Sequence, residues 1–224
     1  MDEPRAFWFP VVIVAIFTGI WLLAGTDFLA DNILPAPRHT DTWTELETNV
    51  QMRWKLAQAG TVVREWMFTN LLYWPRSAGR GLPVWFLSLW THSLINVGLL
   101  TSIIAVSALG VLGFASEQRL GAGMMVGAVI LAFILNAVVM AIGLVGTAAA
   151  GSWCMIGVLA ALLACGGSED EPAVGTRVLG IAVIVCLVLG VPERVGGTPV
   201  FVAQWLPSTI LGAAIGGLHL MATR

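Results

Sequence analysis

The sequence predicts an all-α integral membrane protein of about six transmembrane helices, five being the alternative count, with an amphipathic helical segment at the membrane interface. Three observations lead there. Of 224 residues, 58% are hydrophobic and 11% charged, whereas a soluble domain carries about 25% charged residues, so too little polar side chain exists to cover a globule in water. Mean hydropathy is +0.87. The whole stretch 122–165 lacks a charged side chain.

A spanning helix needs about 20 apolar residues to cross roughly 30 Å of hydrocarbon. Residues 1–25 supply the first, from Phe7 to Gly25. Its acidic Met-Asp-Glu-Pro-Arg start lacks a basic n-region and no small-residue cleavage site follows, so it reads as a retained anchor rather than a signal peptide. Pro10 falls in the first turn, where a missing N–H is harmless.

Residues 26–83 form the extramembrane and interfacial segment and hold six of the eleven basic residues: Arg38, Arg53, Lys55, Arg64, Arg76 and Arg80. Trp43, Leu46, Val50, Trp54 and Ala57 recur at helical steps of three and four, with Glu45, Glu47, Gln51 and Arg53 on other faces, which predicts an amphipathic helix. A second apolar set from Val62 to Leu72 leads into Tyr73-Trp74-Pro75. Trp43, Trp54, Trp66 and Trp74 beside arginines suit the headgroup level.

Residues 84–224 read as the helical bundle. Val84–Ala115 is longer than one perpendicular span, so it predicts either a tilted helix or a short interfacial piece around Trp85 and Trp90 followed by the span. Ser116-Glu117-Gln118-Arg119 reads as a loop. Residues 122–165 predict two spans joined by a tight turn within 143–152; in the five-span alternative they form one long tilted helix plus a re-entrant piece. Gly166–Pro172 is an acidic loop, Val174–Val191 a fifth span, Pro192–Pro199 a loop and Val200–Ala222 the sixth span. Lys and Arg gather on the side holding residues 26–83, which predicts termini facing away from the cytoplasm of a bacterial inner membrane.

Within the apolar runs, Ser88, His92 and Asn96 follow at i, i+4 and i+8, a spacing that puts them on one helical face, with Thr91 beside them and Asn136 in the third span. Such groups in hydrocarbon must face protein or water. They predict interhelical hydrogen bonding in preference to a ligand or proton site, and His92 is the sole candidate for a metal or haem ligand. Paired axial histidines would need matching depth, and His219 lies about 15 Å from that of His92 at 1.5 Å per residue, so no haem, pigment or other cofactor is predicted beyond lipids. His39, near Asp41, reads as solvated. Gly123 and Gly127, and Gly212 and Gly216, have GxxxG spacing, which allows close helix approach.

Other classes are excluded or lack support. A net charge of −2 without a basic tract argues against nucleic acid as a partner. No span carries an acid or base near its centre, as ion-coupled transport uses. HExxH, GxSxG and GxxxxGK[ST] are missing, and Asp27 with Asp31 makes only a weak acidic pair. Cys154, Cys165 and Cys186 lack metal or disulfide spacing. The order of a first span, a Trp-rich segment ending in Trp74-Pro75 and a final Leu206–Gly212 helix is faintly similar to inner-membrane proteins of conjugative elements, over little of the chain and without their charged middle segment, so no family is assigned from it. The sequence therefore predicts a non-catalytic membrane subunit that scaffolds a larger complex with other membrane subunits and the bilayer. The alternatives are a small transporter or channel, a redox subunit using His92, and a part of a secretion or conjugation apparatus.

Overall fold

The computed structural model describes residues 6–24, 62–63, 65–67, 69–73, 79, 81–143, 149–166, 174–191 and 202–222. Among them the regular structure is helical: α1 Trp8–Ala24, α2 Leu82–Thr91, a 3₁₀ turn His92–Leu94, α3 Leu99–Leu120, α4 Ala122–Ala141, α5 Trp153–Cys165, α6 Val174–Val188 and α7 Val202–Ala222. Residues 62–63, 65–67 and 69–70 are also helical. Trp43, Trp54 and Trp74, and the amphipathic face drawn through them, lie outside the described residues.

By length and composition, α3, α4 and α7 can each cross a membrane. The other apolar helices are shorter: α1 has 17 residues, α5 has 13 and α6 has 15. α5 explains its own shortness. Its sequence, WCMIGVLAALLAC, has no polar face, and 11 of its residues are buried, the pattern of a helix enclosed on all sides. α3, α4, α6 and α7 all pack around it. At 1.5 Å per residue it extends only about 20 Å, because protein rather than lipid surrounds it.

Small residues permit that enclosure. A Cβ at Gly157 would meet Thr209 Oγ1 at 2.7 Å and the Trp205 carbonyl at 2.9 Å. One at Gly180 would collide with the backbone of Ala160 and Ala164, one at Gly212 with the Val158 carbonyl, and one at Gly216 would lie 2.9 Å from Gly166 N. α6 and α7 thus touch α5 backbone to backbone. By contrast, a Cβ at Gly123 or Gly127 on α4 would meet nothing within 4 Å, and those two glycines make no close helix contact among the described residues.

One expectation about a loop needs correcting. The stretch Ser116–Arg119 is the last turn of α3, and the chain reverses at Gly121. Its charges are structural: Glu117 accepts from the N–H groups of Ala6 and Phe7 through separate carboxylate oxygens at 2.8 and 3.0 Å, capping the start of α1, where anionic charge is favoured. Arg119 donates to the Leu163 carbonyl near the end of α5 and to Thr176 Oγ1 on α6 at 3.2 and 2.8 Å. A short apparent loop therefore ties four helices together. Of the two readings of the run from Val84, the structure has the short helix around Trp85 and Trp90 followed by a long one: α2 ends at Thr91, and the 3₁₀ turn and an extended Ile95 follow before α3 starts at Leu99.

Candidate functional site: the buried polar node

Ser88, His92 and Asn96 consequently do not share a helix face: Ser88 is in α2, His92 in the 3₁₀ turn and Asn96 in the extended break. All three point inward nonetheless, each at most 1% exposed. The break is what gathers them. A break in helical hydrogen bonding inside an apolar bundle is tolerated where protein replaces the missing partners, and the backbone groups of Asn96 show how.

The Asn96 N–H donates to Thr18 Oγ1 of α1 at 3.3 Å, and the Asn96 carbonyl accepts from Ser102 Oγ at 3.2 Å. Gly98, with φ +93°, adopts a backbone that side-chain-bearing residues rarely take. Opposite lies a second non-helical stretch, 149–152, which leads into α5. Tyr73 and Ala149 exchange both backbone hydrogen bonds at 3.1 Å. The Ala150 carbonyl accepts from Gln204 Nε2 of α7 at 3.0 Å. The Gly151 N–H donates to the His92 carbonyl at 3.0 Å, and the Ser152 N–H to Asn96 Oδ1 at 3.2 Å. Gly151 has φ +121°, and a Cβ there would also collide with the Trp153 indole.

The side chains complete two linked clusters. In one, Asn96 Nδ2 donates to Ser152 Oγ at 3.3 Å and lies 3.5 Å from Thr18 Oγ1. In the other, His92 Nδ1 faces the Ser88 carbonyl at 2.8 Å. A carbonyl can only accept, so Nδ1 carries the proton and Nε2 is the acceptor. Asn136 Nδ2 donates to that Nε2 at 2.9 Å and to Ser93 Oγ at 2.8 Å. Asn136 Oδ1 is buried and has no partner among the described residues. The Tyr73 ring packs 5.9 Å from the His92 ring, and its hydroxyl donates to the Met140 carbonyl at 3.0 Å.

Of the remaining residues singled out from sequence, Thr91 Oγ1 lies 2.7 Å from the Leu71 carbonyl and 3.1 Å from that of Leu87, at the edge of the node. Trp66 is exposed, and its carbonyl accepts from Asn70. Both His92 ring nitrogens already hold hydrogen bonds, so neither faces an open ligand position, and among the described residues no three His, Cys, Asp or Glu side chains cluster. Thr18, Ser93, Ser102, Ser152 and Gln204 were not anticipated. Single polar residues in apolar runs are a faint signal, although Gln204, the one amide in the first turn of the last span, is the most legible of them.

Chemically, the node holds a serine hydroxyl at the start of a buried helix, next to an amide. No carboxylate, lysine or histidine nitrogen hydrogen-bonds to Ser152 Oγ among the described residues. Compared with protein-family models, with curated proteins and with solved structures, the chain matches none.

Proposed function

We propose that this chain is a non-catalytic, multi-pass subunit of a bacterial inner membrane that scaffolds a larger membrane complex, with α1, α5 and α6 adding to the three long helices for six passes. The observation carrying this reading is that the polar groups at the centre, Asn136 Oδ1 apart, are used on one another. His92 commits both ring nitrogens and Asn96 both ends of its amide, which is how a structural joint is built, whereas a nucleophile requires an adjacent base. A channel would need a wet path past His92, Asn96 and Asn136, and these are at most 2% exposed.

The outer faces supply surface for neighbours: Val174, Val178, Ile181 and Val185 of α6 and Ile210 and Leu218 of α7 are exposed and apolar. Purification in mild detergent, followed by native mass spectrometry and an absorption spectrum, tests the reading. Stoichiometric membrane partners are expected. A chain that purifies alone from its native membrane overturns it, and a haem or pigment band supports the redox alternative.

A further inference from the structure

We draw no further inference here: the strongest candidate, the buried side-chain cluster in which Asn136 Oδ1 is left without a partner among the described residues beside His92 and Ser93, belongs to the polar node already described, and no described group is placed against that oxygen to say what would bind it.

Discussion

Gly212 and Gly216 on α7 and Gly123 and Gly127 on α4 have the same spacing in similarly apolar helices, yet their surroundings are opposite. The first pair lies against the backbone of α5. The second pair has open space where a side chain would be. Spacing only makes close approach possible, and what determines whether it occurs is the neighbour. α5 is enclosed by four helices and presents small residues on several sides, so the helices pressing on it need glycine at the contact. α4 turns Gly123 and Gly127 away from it.

The comparison breaks most easily at its strong end. Gly212→Leu with Gly216→Leu forces two bulky side chains into the α5 backbone. The expected loss exceeds the roughly 3 kcal/mol at the top of the usual overpacking range, seen as loss of the folded species on size exclusion and in a thermal melt. Near-normal melting would show that α7 does not press on α5 as described.

A smaller effect is expected where α5 begins. Asn96→Ala strands the buried Ser152 N–H and removes the donor to Ser152 Oγ, and an unsatisfied buried group costs about 1–3 kcal/mol. Faster amide exchange confined to residues 149–156 is the signature to look for. Uniform exchange across the bundle would mean that the node does not hold this helix end.

Glu117→Gln sharpens the contrast, because its carboxylate caps α1, which lies outside the group of helices wrapped on α5. Loss of charge and of one strong acceptor should destabilise by about 1 kcal/mol. The effect should appear in protection of the first turn of α1 and leave α5 unchanged.

The weakest effect belongs to α4. Gly123→Leu and Gly127→Leu should change stability by no more than about 0.5 kcal/mol, or raise it, because leucine has the higher helix propensity. A loss as large as that at Gly212 would reveal a partner seated on α4, and would move the scaffold surface to that face.

Composition alone carried the helical membrane class, since nothing in water stabilises a chain this apolar and only helices or closed barrels satisfy a backbone in lipid. The start of α4 after Gly121 was also legible, whereas α5, read as one more span, turned out to be enclosed by its neighbours. The sequence likewise marked His92, Asn96 and Asn136 as groups that must find partners.

Which partners they find was decided by tertiary structure. Periodicity describes a helix, so it treated Ser88, His92 and Asn96 as one stripe. The chain instead leaves the helix at His92, because Ser102 nearby, and Thr18, Gly151 and Ser152, distant in sequence, supply the hydrogen bonds that the break forfeits. The same holds for Glu117 and Arg119. Four polar residues in a row resemble a loop until the start of α1 and the end of α5 are brought within reach, and only then does continuing the helix give Glu117 and Arg119 hydrogen-bond partners. Local sequence encodes the demand for hydrogen bonds and close contacts; the supply arrives from other helices, at separations of up to 111 residues, and exists only once they have packed.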